Sequence, residues 1–261
     1  MILVLGGTDD GIKVGEFLTK QGHSVMVSAS TDYGKSIISN SGLRVFPDPL
    51  GISSGDFIDK LNQYNIQAVV DATHPFATFV TKGGFQSCRE IGIPFIRFER
   101  EAVTLPDPDH SLLRQVDSFQ EAADLAQELV LELDDKVFLT IGTNKIDYFT
   151  SRISQDKLIV RVLPMESSIT NCLCHGLKPD NIVALKGPWS YSLNKELFRS
   201  YNTKVLLTKE SGESSGLLNK IQAALDLNMN VILIKRPYYP EITTTSNLLE
   251  LENYLSAKLF N

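Results

Sequence analysis

Cysteine is scarce in this chain of 261 residues. Cys88, Cys172 and Cys174 give neither an even disulfide framework nor a four-ligand zinc set, and only one residue separates Cys172 from Cys174, too few for a CxxC pair. A reducing, cytoplasmic setting is expected, with no metal. Long apolar runs are missing too: none approaches the roughly 20 residues that span a bilayer. No basic stretch precedes the opening ILVL, which argues against a signal peptide. Basic charge is not in excess, the net charge being −6, so the field needed for nonspecific nucleic-acid binding is absent. Repeats and low-complexity tracts are lacking. What remains is 43% hydrophobic and 21% charged, a globular balance with apolar surface for one large core or two smaller ones.

Short β-branched runs alternate with segments of helical period, the pattern of parallel sheets covered by helices. Strands are expected at 2–5, 24–28, 44–46, 68–71 and 94–98, with helices at 11–21, 53–64 and 75–91. The stretch EAVTLPDPDHS, Glu101 to Ser111, has prolines, aspartates and no period, and reads as a connection. A second series follows: a helix at 118–133, strands at 137–141, 159–163, 182–185, 204–208 and 230–235, and helices at 194–200, 217–227 and 247–259. The expected architecture is α/β, two Rossmann-like domains with parallel sheets and an interdomain cleft. Residues 1–112 form the dinucleotide-binding domain and 113–261 the substrate domain, with functional loops beyond the carboxyl ends of the strands.

LVLGGTDDG ends the first strand and opens the first helix, so Gly6, Gly7 and Gly11, with Thr8 and Asp10, are expected to face a phosphate with backbone amides. The pattern departs from GxGxxG, and a turn serving only chain reversal is the bland alternative. After the second strand, Ser30, Thr31 and Lys35 stand where the adenosine ribose is usually met, and hydroxyls with a lysine suit a 2′-phosphate. NADPH is favoured over NADH. Gly34 to Ser36 reads GKS, but a P-loop needs a glycine where Ala29 stands, so ATP hydrolysis is set aside. Tyr191 and Lys195 make a YxxxK pair without the upstream serine or the glycine turn that accompany it in short-chain dehydrogenases.

DATHPFA, Asp71 to Ala77, falls where a central strand ends. With LGGTDDG, GIPFIRFER (Gly92 to Arg100), LTIGTNKIDYF (Leu139 to Phe149), RVLP (Arg161 to Pro164), GPWSYSLN (Gly187 to Asn194), TKESG (Thr208 to Gly212), KIQAA (Lys220 to Ala224) and RP (Arg236, Pro237), the sequence resembles the precorrin-6A and cobalt-precorrin-6A reductase family of cobalamin biosynthesis. Asp10 stands where that family usually has glutamate, and Ile12 where arginine often follows. The resemblance implies hydride transfer from NADPH or NADH to the C18/C19 double bond of a tetrapyrrole-derived polycarboxylate.

On that reading Asp71, Ala72 and Thr73 join the cofactor site. Substrate carboxylates are expected at Arg97, Arg100, Thr143, Lys145, Arg161 and Arg236, with Gly187, Trp189, Asn194, Ser211 and Gly212 around them. His74, Lys209 and Glu210 are the candidate proton donors, solvent or a ring nitrogen being the default. Two other readings compete: a Rossmann-type reductase of a small carbonyl or imine, and a dinucleotide-sensing protein without turnover. Oligomeric state is left open.

Overall fold

The computed structural model describes residues 1–47, 49–52, 55–133, 135–212 and 215–259. It divides into two compact units, Met1–Glu101 with Pro237–Asn261, and Ala102–Arg236.

The first unit runs β1 (Ile2–Leu5), α1 (Asp9–Lys20), β2 (Val25–Ser28), α2 (Asp32–Asn40), β3 (Arg44–Val45), α3 (Gly55–Gln63), β4 (Ala68–Asp71), α4 (Thr78–Ile91) and β5 (Phe95–Phe98). The second holds β6 (Leu113–Val116), α5 (Phe119–Leu133), β7 (Lys136–Leu139), α6 (Asp147–Thr150), β8 (Leu158–Val162), α7 (Glu166–Cys174), β9 (Ile182–Ala184), α8 (Tyr191–Ser200), β10 (Thr203–Lys209), α9 (Leu217–Leu225) and β11 (Asn230–Ile234). The chain then closes the first unit with β12 (Thr244–Thr245) and α10 (Leu248–Leu259).

Each unit carries a six-stranded sheet whose pairings are all parallel, in the orders β12-β5-β4-β1-β2-β3 and β6-β11-β10-β7-β8-β9. The strand period sorts side chains to the two faces of the first sheet. Ile2 and Val4 pack with Val14 and Leu18 of α1 and Leu251 and Leu255 of α10, whereas Leu3 and Leu5 pack with Phe57 and Leu61 of α3 and Cys88 of α4. With both faces covered, β1 is apolar at every position, as a central parallel strand requires.

The C-terminal segment differs from the expected partition at 112/113. Thr244 and Thr245 pair parallel with Arg97 and Phe98, and Glu252 of α10 holds His23 at 2.8 Å. Residues 237–261 therefore complete the first unit rather than the second. Strands β6 and β12 and helices α2, α6 and α7 were not expected. β12 is two residues long and α2 reads DYGKSIISN, so neither carries enough apolar period to be seen. Helix α4 starts at Thr78 and not at Pro75, because 72–77 form the turn after β4. The expected start of a helix at Ser53 lies outside the described residues.

Candidate functional site

In an open parallel sheet, ligands are received beyond the carboxyl ends of the strands, where the strand order reverses. Here those points are β1/β4 in the first unit and β7/β10 in the second.

At β1/β4 the backbone packs so closely that only glycine fits. A Cβ on Gly6 would stand 2.5 Å from the Ser28 carbonyl oxygen, and one on Gly11 would stand 2.8 Å from the Gly6 Cα. Gly7 has φ +124°, and a Cβ there would meet nothing within 4 Å, so the turn is open on its outer side. Thr8 caps the turn from beneath, its hydroxyl donating to the Ala72 carbonyl at 3.1 Å, and its side chain makes no capping bond to α1. The first amides of α1 are thus left for an anion. Asp10 pairs with Arg100 at 2.6 Å, which offsets a carboxylate in that first turn. This fits a dinucleotide pyrophosphate at Gly6, Gly7 and Gly11. Ser30 is exposed, Thr31 receives the Gly34 amide at 3.0 Å as the cap of α2, and Lys35 lies 3.9 Å from the fully exposed Asp32.

The neighbouring residues are used differently from expectation. Asp71 is wholly buried: one carboxylate oxygen accepts from the amide and hydroxyl of Thr73 at 3.0 and 2.6 Å, the other from Thr81 at 2.6 Å and from Arg97 at 2.5 Å. Arg97 is also wholly buried, and its Nε donates to Glu99 at 2.7 Å. Asp71, Thr73 and Arg97 therefore brace β4, α4 and β5, and Asp71 and Arg97 have no surface for cofactor or substrate. The Ala72 side chain is buried and its carbonyl serves Thr8. Arg100, expected on substrate, holds Asp10. His74 accepts the Phe76 amide on Nδ1 at 3.2 Å, which opposes protonation of that nitrogen.

In the second unit Glu210 is buried, accepting from the Gly212 amide at 2.9 Å and the Val103 amide at 3.3 Å and pairing with Arg236. These bonds hold the loop after β10, and Arg236 is drawn to Glu210 rather than to a ligand. Ser211 and Gly212 are buried in the same loop, the Ser211 hydroxyl donating to the Lys209 carbonyl at 3.2 Å. Asn194, 1% exposed, donates to the carbonyls of Trp189 and Ser190 and is structural. Trp189 is buried, its indole N–H bound to the Lys186 carbonyl at 2.9 Å, so the ring packs within the unit. Gly187 precedes Pro188 through a cis peptide bond. The Thr143 carbonyl accepts from the Asn171 side chain, and Lys145 is exposed over the Tyr148 ring.

Cations gather around that tryptophan. The Arg161 guanidinium lies 4.4 Å from the Trp189 ring centroid, in cation–π contact. Burial pushes Arg161 down to about 10, so it stays charged at neutral pH. Burial also pushes Lys209 down to about 8. Lys220 is 3% exposed, and burial, with the charges of Arg161 and Lys209, pushes it down to about 7. Sequence reasoning missed Lys220. A signal was there, since it occupies the buried stripe of LLNKIQAAL with Leu217, Ile221 and Ala224, a place for an apolar side chain. Among the described residues no group of three His, Cys, Asp or Glu could hold a metal, and no helix is long and apolar enough to cross a membrane.

These lysines make a pH prediction. Their folded values lie below the ordinary 10.5, so the unfolded chain binds more protons from about pH 7 upwards and stability should rise with pH. Cys88, pushed up to about 12 from 9.0, acts in the opposite sense but only above pH 9. Thermal melts of the ligand-free protein should therefore climb between pH 7 and pH 9. A flat or falling melting temperature over that window would contradict the burial of these ammonium groups.

The comparisons with known proteins agree with this architecture. Residues 1–255 match the family profile "Precorrin-6x reductase CbiJ/CobK". A cobalt-precorrin-6A reductase of Methanocaldococcus jannaschii is 34% identical over 256 residues, covering 98% of each chain. A precorrin-6A reductase of Mycobacterium tuberculosis is 31% identical over 241 residues, covering 92% of this chain and 90% of its own. The solved structure of a CobK precorrin-6A reductase has the same fold, with a TM-score of 0.74 at 24% identity over 99% of this chain and 97% of that one. The chain belongs to the precorrin-6x reductase CbiJ/CobK family, oxidoreductases of cobalamin biosynthesis acting on a CH–CH group.

Proposed function

We propose that the protein reduces the C18/C19 double bond of precorrin-6A or its cobalt form, with NADPH as the preferred reductant over NADH. The observation that carries this reading is that each sheet offers an anion-receptive carboxyl edge of its own: the Gly6–Gly7–Gly11 turn in the first unit, the Arg161 and Lys209 cations in the second. The first suits a dinucleotide pyrophosphate, the second a polycarboxylate. Ser30, Thr31 and Lys35, beyond β2, would meet the adenosine 2′-phosphate.

A reduced nicotinamide, when bound, supplies the hydride. The residues of this chain bind, orient and protonate. Arg161, fixed on the Trp189 ring, orients the macrocycle through a carboxylate. Lys209 delivers the proton: its value of about 8 lets it yield one near neutral pH. His74 is less suited, because its Nδ1 already accepts a backbone amide.

The test is direct. Precorrin-6A or the cobalt form, mixed with protein and either nucleotide, should bleach nicotinamide absorbance in step with a change in the macrocycle spectrum, faster with NADPH. Lys209→Ala should lower macrocycle turnover about 100-fold, within the range for loss of a general acid, and leave NADPH binding intact. Gly7→Val should do the reverse. Turnover of simple carbonyls with none of the macrocycle would sink the proposal.

A further inference from the structure

Lys220 is the least expected side chain in the molecule. It stands in the first turn of α9, its amide bonded to the Gly216 carbonyl at 3.2 Å, and its side chain enters the apolar stripe of that helix. Gly216, at φ +67°, backs against the segment before α8: a Cβ there would lie 3.2 Å from Pro188 and 3.6 Å from the Trp189 backbone. Asn219 reaches the Trp189 carbonyl at 3.4 Å, so Trp189 and the start of α9 form one packed block. Arg161 covers the indole ring of that block at 4.4 Å.

No described residue offers Lys220 an ion pair or a side-chain hydrogen bond, and the charges that bear on it, Arg161 and Lys209, are both positive. Lys220 keeps 3% of its surface exposed. A buried cation without a counter-charge destabilises the free protein. Methionine or leucine would fill the same stripe at no such cost. The arrangement makes physical sense when an incoming anion completes it.

We propose that Lys220, with Arg161, forms a recessed seat over the first turn of α9 for one alkyl carboxylate arm of the macrocyclic substrate. This rests on the reading above that the second unit takes the polycarboxylate. A carboxylate on a short flexible arm can reach a recessed ammonium while the bulky ring stays outside. Apolar surface for such a ring stands beside the seat: Leu163 and Leu185, 51% and 43% exposed, directly follow the paired ends of β8 and β9 next to Arg161. The occupied seat shares one negative charge between two cations, so Lys220 acts as a specificity-determining residue for acidic macrocycles.

The experiment uses the full chain and uroporphyrin, a tetrapyrrole polycarboxylate, as probe, titrated by its fluorescence. NADPH is titrated separately, and melting temperatures are recorded. Lys220→Met should melt at or above wild type and bind uroporphyrin about tenfold more weakly or worse, with NADPH affinity unchanged. Lys220→Arg should recover part of the loss. Wild-type affinity should fall as pH rises through the lysine range, and Lys220→Met should flatten that profile.

Unchanged uroporphyrin affinity in Lys220→Met, with weakening in Lys209→Ala, overturns the role of Lys220 while leaving the function of the second unit standing. Weakening in neither variant overturns both. Loss of NADPH rather than uroporphyrin binding makes the seat one for a dinucleotide phosphate and overturns the carboxylate. A Lys220→Met protein that no longer folds shows that the ammonium has a structural partner, and overturns the proposal as well.

Discussion

Replacing Asp71 with alanine should cost about 3–5 kcal/mol of folding stability, the range for removing one partner of a buried ion pair. Arg97 would then keep a guanidinium at 0% exposure with Glu99 as its only remaining ion-pair partner among the described residues, and Thr73 and Thr81 would lose their acceptor. The loss is large because Asp71 takes four hydrogen bonds, and no water can replace a carboxylate of zero exposure without opening the sheet. Urea denaturation should show a lower midpoint at unchanged slope. A paired change, Asp71→Leu with Arg97→Met, should recover much of the loss, since apolar replacement of a whole buried pair is often neutral. A single variant that costs under about 1 kcal/mol, the range of surface pairs, would mean the pair is not sealed.

The second large effect concerns Gly11. Valine there places its Cβ 2.8 Å from the Gly6 Cα, a backbone atom, so either α1 lifts from the turn or the turn itself deforms. Overpacking of this kind costs about 1–3 kcal/mol. The larger consequence is for binding, because the amides of the first turn of α1 lose their alignment, and we expect at least about a 100-fold loss of dinucleotide affinity, or roughly 2.7 kcal/mol. Gly55→Ala is the control, since a Cβ at Gly55 meets nothing within 4 Å; its effect should stay within about 0.5 kcal/mol. Titration of nicotinamide fluorescence separates the two. Equal affinity in Gly11→Val and wild type would exclude this turn as the pyrophosphate site.

Much of the fold was legible because its signals are local. The apolar runs at 2–5, 68–70 and 231–234 are buried on both faces, and such runs read as central parallel strands wherever they fall. The glycines after β1 were legible for the same reason, since a strand-to-helix turn is written in adjacent residues. The site residues divide differently. Arg97, Arg100 and Arg236 looked like ligands for an acidic substrate because they stand at or just past strand ends, yet each is committed to a carboxylate of its own unit: Asp71 and Glu99, Asp10, and Glu210. Sequence position shows where a cation can point and not whether it already has a partner. The two-residue strand β12 was invisible, because its pairing with β5 rests on backbone bonds from Arg97 and Glu99 to Thr243 and Thr245, across more than a hundred residues of chain.

The amino-acid order alone determined most strands and helices, the glycine turn and the family resemblance, all of which depend on contacts between near neighbours or on motifs in series. Only the tertiary structure decided which charges are neutralised, which unit owns the last helix, and that Lys220 lies among like charges. Charge balance in a low-dielectric interior is a sum over groups brought together from β8, β10 and α9, and that sum does not exist until the chain has folded.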